Sequence, residues 1–492
     1  MGTEMAAVLP GLTRDQCDPL RSPVLQRELP GLATALDEQA MRGRLQALLF
    51  GEDSPYRIER CNPGQAIYLA GDFCGLRYEL EVRGPDGGPP IELLAVGRVF
   101  QHEDARRAFL SEKLAPVAEQ ARGRPDLAPF ARLVAPIDEL NMAVHVFPID
   151  GDLPALLDVT DPSRAAELVG AALGPGFAPR ECRVQLVQYG RRHRCTLRYV
   201  LDGADASGAP AQQVVYGKVA SDGTGARTVP VIAALHERLQ AAGAAGQVQI
   251  PRVLAFLPEQ QLLLLEAIPG RPQIARLLKE RLAGQSADGP LTLESGVEAC
   301  GLIAAAIHRS GVALGRRRAL EDELDWLAGS IAALARVSPE LGARLREWLE
   351  RAAAAGRAAE PLPLCFSHGD FTYTQLIFDG ARTGLVDFDT VCQAEPALDL
   401  GQFLAYQRLA IHRNQRPEAP MPAAAVDRLC DGFFDTYAAA MGVSDVRRLR
   451  ARVRVYEILM LLRLAVHSWQ KLKVSRLEHA TALIEERIAW LH

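Results

Sequence analysis

No two of the nine cysteines form a C-x-x-C pair; they stand apart at Cys17, Cys61, Cys74, Cys182, Cys195, Cys300, Cys365, Cys392 and Cys430. An odd, scattered set supports neither a disulfide framework nor a zinc ribbon, and a reducing cytoplasm is the expected compartment. Long apolar runs are missing as well: none reaches the ~18 residues a membrane helix needs, residues 301–307 being typical. Charge of one sign is not in excess, with 55 Lys+Arg against 60 Asp+Glu and a net of −5. That balance excludes a general affinity for nucleic acid or anionic membrane. The opening MGTEMAAVLPGLTRDQ has no basic start before an apolar run, and Ala6 stands where a myristoylation signal wants Ser or Thr, so no leader or lipid anchor is expected.

What is present is a chain of 492 residues, 48% hydrophobic and 23% charged, the balance of a soluble globular protein. At roughly 100–200 residues per domain, about three or four compact units are expected.

The first 45 or so residues, broken by Pro19, Pro23 and Pro30, read as an extended lead and one short helix ending near Phe50. Three β-like runs come next (AIYLAG, LRYELEVRG, IELLAVGRVF), separated by GDFCG and GPDGGPP. A helical stretch over 104–119 and the runs FARLVAPI and NMAVHVFPI complete the block.

The same order returns from Cys182, offset by 121. Cys61, Tyr68, Cys74, Leu76, Arg77, Tyr78 and Leu80 fall on Cys182, Tyr189, Cys195, Leu197, Arg198, Tyr199 and Leu201, seven identities in twenty. After one residue of slippage Gly97-Arg98-Val99 falls on Gly217-Lys218-Val219. Roughly one or two chance identities would be expected, so a duplicated β unit is the better reading than two unrelated hairpins. Between the copies, residues 161–173 read as a helical linker with Asp161 as N-cap before Pro162. Beyond QLLLLEAIPGRP the chain is overwhelmingly helical.

One segment interrupts those helices. Residues 364–400 place two short strands, around 376–378 and 384–386, on either side of a turn at Asp379-Gly380. His368-Gly369-Asp370 precedes the first strand and Asp387 ends the second, with the carboxamide of Gln375 between. Hard oxygen donors of this kind suit Mg²⁺, and phosphoryl transfer asks for such a set: a carboxylate for the attacking hydroxyl, and a carboxylate and an amide for the metal. Alone, Asp370 is an ordinary turn residue, Asp387 a strand cap and His368 a core histidine; their joint spacing carries the functional reading. A metal hydrolase built on His368 and Asp370 is disfavoured because no second histidine cluster accompanies them.

HGDFTYTQLIF, then GLVDFD, then EPALDLG resemble the catalytic segment of the aminoglycoside phosphotransferase and choline kinase family. The resemblance implies an α+β, bilobal protein-kinase-like fold. It makes Asp370 the catalytic base, Gln375 and Asp387 the metal ligands, Asp399 a structural acid holding the catalytic loop, and His368 a support of that loop. Gln375 departs from the family's usual Asn, an exchange that resembles the maltokinase and glucosamine kinase branch. Ala394 stands where the family has glycine.

By the same resemblance the second β unit is the nucleotide lobe. Residues 188–192, with Gly190, form the turn over the phosphates, a weak signal beside a true glycine-rich loop. Lys218 clamps the α- and β-phosphates, and Glu266, Ala267 and Ile268 form the hinge that binds adenine. The helix after Lys218 offers a single acid, Glu237, late for a lysine partner. His308 reads as a packed residue, and the acidic run 321–325 as a solvated helix start in preference to a site for a cationic acceptor.

The first copy replaces the lysine by Arg98 and has no catalytic segment of its own, so it is expected to be a degenerate, non-catalytic cap. The expected division is a lead (1–50), a cap domain (51–175), a nucleotide-binding small lobe (176–270) and a helical catalytic and substrate-binding lobe (271–492). The expected activity is an ATP- and Mg²⁺-dependent small-molecule kinase acting on a hydroxyl of a sugar, aminosugar, aminoglycoside or amino alcohol. The alternative is a pseudokinase-like nucleotide or partner-binding protein without phosphotransferase activity.

Overall fold

A computed structural model describes residues 12–190, 194–243, 248–285, 289–380, 382–416 and 418–491. Two five-stranded sheets occupy the first half. The first is built from β1 (Arg57–Leu69), β2 (Phe73–Arg83), β3 (Ile91–Phe100), β4 (Val134–Ile137) and β5 (Met142–Val146), in the order β1-β2-β3-β5-β4. β6 (Phe177–Tyr189), β7 (Arg194–Asp205) and β8 (Pro210–Ala220) open the second; after the short β9 (Val248–Gln249), β10 (Val253–Leu257) and β11 (Leu262–Glu266) complete it. Its order, β6-β7-β8-β11-β10, is the same topology.

The register repeats as well as the order. Cys61 faces Leu80 and Tyr68 faces Cys74 in the first sheet; Cys182 faces Leu201 and Tyr189 faces Cys195 in the second. Gly97 lies opposite Leu76, and Gly217 opposite Leu197. A Cβ at Gly217 would stand 2.6 Å from the Tyr199 ring, and one at Gly97 would run into Met142 Cε and stand 3.2 Å from the Tyr78 ring, so each glycine makes room for core side chains that include the tyrosine. Because side chains alternate along a strand, these matches fix which face each residue serves: Tyr78 and Tyr199 point into a core, while Arg98 and Lys218 both point outward.

The repeat starts upstream of the strands. Tyr78 Oη donates to the Ala35 carbonyl at 2.7 Å, and Tyr199 Oη to the Val159 carbonyl at 3.0 Å. Two residues after each acceptor, Asp37 and Asp161 cap the helices Glu38–Leu45 and Pro162–Leu173. The helix that reads as a linker is therefore part of the second unit: its Ala165 and Val169 pack with Leu197 and Tyr199 in one core. The end of the lead likewise packs with the first unit, its Ala35 carbonyl accepting from Tyr78.

The remaining chain forms the helical lobe, including Leu293–His308, Leu320–Ala335, Pro339–Ala358, Ala397–Asn414, Ala423–Met441, Val446–Gln470 and Val474–Ile488. It carries the short strands β12 (Arg316–Arg317), β13 (Cys365–Ser367), β14 (Leu376–Asp379), β15 (Arg382–Leu385) and β16 (Cys392–Ala394). β14 and β15 pair as the hairpin expected around Asp379-Gly380, with Gly380 at φ 58°. β15 also pairs with β9, which ties the hairpin to the second unit. The first unit reaches the helical lobe directly: the Tyr68 and Trp469 rings, both buried, meet edge to face at 5.6 Å. Burial of two such rings is worth roughly 1.5–3 kcal/mol each. No described helix is long and apolar enough to cross a membrane.

Candidate active site

β13 leads into the loop His368-Gly369-Asp370. Gly369 has φ 75°, and a Cβ there would run into the Thr390 carbonyl, so only glycine serves. Asp399, in the first turn of the helix Ala397–Asn414 and fully buried, accepts from His368 N (2.7 Å), Gly369 N (2.8 Å) and His308 Nε2 (3.1 Å). Burial pushes its carboxyl up, but His308 and these donors outweigh it and hold the group below the usual carboxylate range. Arg318, paired with Glu323, donates to the Gly369 carbonyl at 3.1 Å, and Arg463 closes on Glu323 at 2.7 Å.

His368 stays inside the loop. Its Nε2 faces the Val386 carbonyl at 3.0 Å and must carry the hydrogen, while Nδ1 accepts from Asp370 N at 3.3 Å. Both ring nitrogens are thus engaged by backbone groups of the loop and of β15's end.

Asp370 is held by Gln402, whose Nε2 donates to Oδ1 at 2.5 Å, and lies 3.5 Å from Gln375 Nε2. Burial raises its pKa, and the charge of Asp387 adds to that, against His368 and Gln402. Asp387 emerges from β15 in the left-handed region at φ 72°, a conformation costly for a residue with a Cβ and one that tends to mark functional sites. Its Oδ2 lies 3.4 Å from Gln375 Nε2, so a single amide lies between the two carboxylates.

Across the cleft Lys218 donates to Asp387 at 2.5 Å and to Asp389 at 2.9 Å. Burial pulls the ammonium pKa down, yet these two carboxylates raise it, and Lys218 stays charged. Burial pushes Asp387 up, but Lys218 outweighs it and the group is held low. Arg194, at the start of β7, adds bonds to Asp222 (2.9 Å), Thr224 (3.0 Å) and Asp389 (3.5 Å). The helix Thr224–Ala241 brings no acid to Lys218: Glu237 is exposed, and Asp387 and Asp389 serve as the partners.

Glu266 ends β11; its side chain pairs with Arg252 and its amide donates to the Arg252 carbonyl at 2.9 Å. Ala267 and Ile268 come next, and Ile268 Cγ2 would stand 3.0 Å from a Cβ on Gly384 in the hairpin, so the connection runs beside β15. Gly190 ends the described part of its turn at φ 85°; residues 191 and 192 lie outside the described residues.

The structure thus brings Lys218, Asp370, Gln375 and Asp387 into one cleft. Asp389, Arg194 and Gln402 join them without having been singled out from sequence. Asp389 had a signal, the second acid of VDFD; Arg194 and Gln402 had none. The acidic run 321–325 is occupied structurally: Glu321 pairs with Arg357, Asp322 caps Ala319 N, and Glu323 is buried against Arg318.

In the first unit the corresponding outward position is closed. Arg98 pairs with Asp152 at 2.8 Å, and its guanidinium lies 4.1 Å from the Phe109 ring and 4.9 Å from that of Phe73. Nothing of the Asp370–Asp387 set faces it.

The donor set fits a hard divalent cation: three carboxylates and a carboxamide meet one lysine and one arginine. Among the described residues no three His, Cys, Asp or Glu side chains are arranged to enclose a metal by themselves. Mg²⁺ does not need that, because it keeps waters and shares phosphate oxygens.

Residues 213–443 match the model of the phosphotransferase enzyme family. No curated protein matches the chain by sequence. Similar solved structures include an ethanolamine kinase of Plasmodium vivax, at 11% identity and TM-score 0.43, covering 62% of this chain and 84% of that one. A choline/ethanolamine kinase family protein from Mesorhizobium loti matches at 16% identity and TM-score 0.39, covering 59% and 88%. A glucosamine kinase in complex with glucosamine, ADP and inorganic phosphate matches at 16% identity and TM-score 0.42, covering 64% and 96%.

Proposed function

Since residues 213–443 carry the pattern of the phosphotransferase enzyme family, we propose that the chain transfers the γ-phosphoryl group of ATP to a hydroxyl of a sugar, aminosugar, aminoglycoside or amino alcohol. The observation that supports this most is the convergence across one cleft of Lys218 on the nucleotide side with Asp387, Gln375 and Asp370 on the other. In this reading Asp370, held by Gln402, orients the acceptor hydroxyl and takes its proton as the hydroxyl oxygen bonds the γ-phosphorus and the bond from that phosphorus to the β-phosphate oxygen breaks, releasing ADP. Lys218 leaves its two carboxylates to neutralise the α- and β-phosphates. Asp387 and Gln375 would hold Mg²⁺, with Asp389 adjacent; the ion supplies charge neutralisation on the phosphates. Gln375 would turn its amide oxygen to the metal. The Glu266 N–H is already bonded to the Arg252 carbonyl, so adenine would meet the Glu266 carbonyl and the backbone of Ala267 and Ile268.

The test is a screen of purified protein for acceptor-dependent ATP consumption against sugars, aminosugars, aminoglycosides and amino alcohols. It is paired with a thermal-shift titration of ATP with and without Mg²⁺. Acceptor-dependent ADP release and Mg²⁺-dependent stabilisation are expected; no turnover with any acceptor and no metal-dependent shift would favour the pseudokinase alternative.

A pH dependence arises from Asp370. The group must be ionised to accept a proton, and its folded pKa lies above the usual carboxylate value. The rate therefore falls as pH drops through that raised value, and kcat/KM is expected to show an acid limb centred above the pKa of ~3.9 of a free aspartate. A profile flat down to that value, in protein still folded by circular dichroism, would remove Asp370 from the base role.

A further inference from the structure

The first unit stacks on the second as the second stacks on the helical lobe. In each case the outward face of a sheet is applied to the next body along the chain, and a cation at one register position meets acids from that body: Arg98 meets Asp152, Lys218 meets Asp387 and Asp389. The cleft between the two units is thus the counterpart of the catalytic cleft, and it is filled by protein. Phe147, which succeeds β5 as Ala267 succeeds β11, packs edge to face on Tyr189 at 5.1 Å. Leu94 and Val96 on the same outward face join the second unit's core.

Tyr189 is the last residue of β6, immediately before the turn that begins at Gly190. It is buried, and it is held at three points. Its hydroxyl donates to Asp150 Oδ2 at 2.7 Å, its ring meets Phe147, and its carbonyl accepts from Arg77 Nη1 of β2 at 2.9 Å. A Cβ on Gly190 would stand 3.5 Å from Arg77 Cδ, so the arginine stem lies along the turn itself. Asp150 is fixed in turn by accepting from Asp152 N and Leu153 N. The first unit is anchored independently to the helical lobe through Tyr68 and Trp469, and through Ser22 Oγ on the Val337 carbonyl at 2.6 Å. A chain of contacts therefore runs from the helical lobe through the first sheet to the end of β6.

We propose that the amino-terminal unit is a brace for the end of β6 at Tyr189 and Gly190, and that Arg77 is the positioning residue through which it acts. This rests on the kinase reading above for what the turn covers. The grip on Tyr189 fixes the end of β6 up to Gly190, so the ordering cost of that strand end is met before nucleotide binds. Arg198, the repeat counterpart of Arg77, instead bonds Gln185 on the exposed face of its own sheet, so the sequence repeat alone does not require this contact.

The test uses the full chain as wild type, Arg77→Ala, Arg77→Lys and Tyr189→Phe. Amide hydrogen exchange is measured over residues 184–196 without ligand, and Mg·ATP affinity by calorimetry. Arg77→Ala is expected to speed exchange at the end of β6, leave the rest of the first sheet protected, and raise the Kd of Mg·ATP roughly three- to tenfold, the loss of about one hydrogen bond. Arg77→Lys should restore part of both and Tyr189→Phe should weaken both less. Unchanged exchange and affinity in Arg77→Ala would overturn the brace, as would a loss of protection spread through the whole first unit without local change at β6. If the wild type itself binds no Mg·ATP, the kinase reading fails, while the exchange measurement still decides whether Arg77 holds the strand.

Discussion

Asp370→Asn is expected to lower kcat about a thousandfold while Mg·ATP binds with near wild-type affinity. The substitution is isosteric, so the cleft keeps its shape and Gln402 Nε2 still finds an acceptor in the Asn Oδ1. The new amino group faces Gln375 Nε2, 3.5 Å from the oxygen it replaces, and rotation of the half-buried Gln375 amide relieves that clash at a cost of about 1 kcal/mol. What is lost, on the proposed reading, is the carboxylate that takes the hydroxyl proton, and positioned general bases contribute about 10²–10⁴-fold. Lys218, on the nucleotide side, and its partner Asp387 across the cleft are untouched. Single-turnover kinetics and calorimetry on one preparation separate the two effects. A rate within tenfold of wild type would deny Asp370 its role; a parallel loss of nucleotide binding would mean the substitution had collapsed the cleft.

The candidate catalytic segment was legible because its residues are local. His368, Asp370, Gln375, Asp387 and Asp399 lie within some thirty residues, and the hairpin between them announces itself through Asp379-Gly380. The repeat was legible where strand register dictates side chains: cysteines, leucines and tyrosines facing a core, and a glycine opposite Leu76 and Leu197. It faded upstream, where the two copies share a backbone acceptor for a tyrosine hydroxyl and an aspartate cap, neither of which leaves a run of identities. The partners of Lys218 could not be read at all, because the contact spans 169 residues and depends on how two lobes meet. Which acid pairs with Lys218 was open from the sequence: Glu237 stood late in its helix, and Asp387 and Asp389 beside the ammonium keep it charged.

Asp399→Ala is expected to cost more stability than any other single change near the cleft, about 3–5 kcal/mol, because it strips a buried acceptor from three donors at once. His368 N, Gly369 N and His308 Nε2 would all be left facing an apolar methyl in a fully buried position. His308 is also tied to Tyr437 at 2.9 Å, so it cannot swing to water without breaking a second bond. At about 2–4 °C per kcal/mol for a lobe of 150–250 residues, the melting temperature should fall by roughly 6–20 °C. The pH dependence gives an independent check with a definite sign. The folded Asp399 pKa is depressed, so its contribution is fully present above the unfolded value of ~3.9 and is lost as pH falls through the folded one. Urea unfolding between pH 3 and 7 should therefore show wild type and variant converging toward the acid end. Activity should fall with stability, since these bonds set the backbone of Gly369 and through it the direction of Asp370. Asp399→Asn, which keeps one oxygen but presents an amide to a donor, should lie between. A variant as stable as wild type at pH 7 would show that the loop is held by Arg318 on the Gly369 carbonyl, not by Asp399.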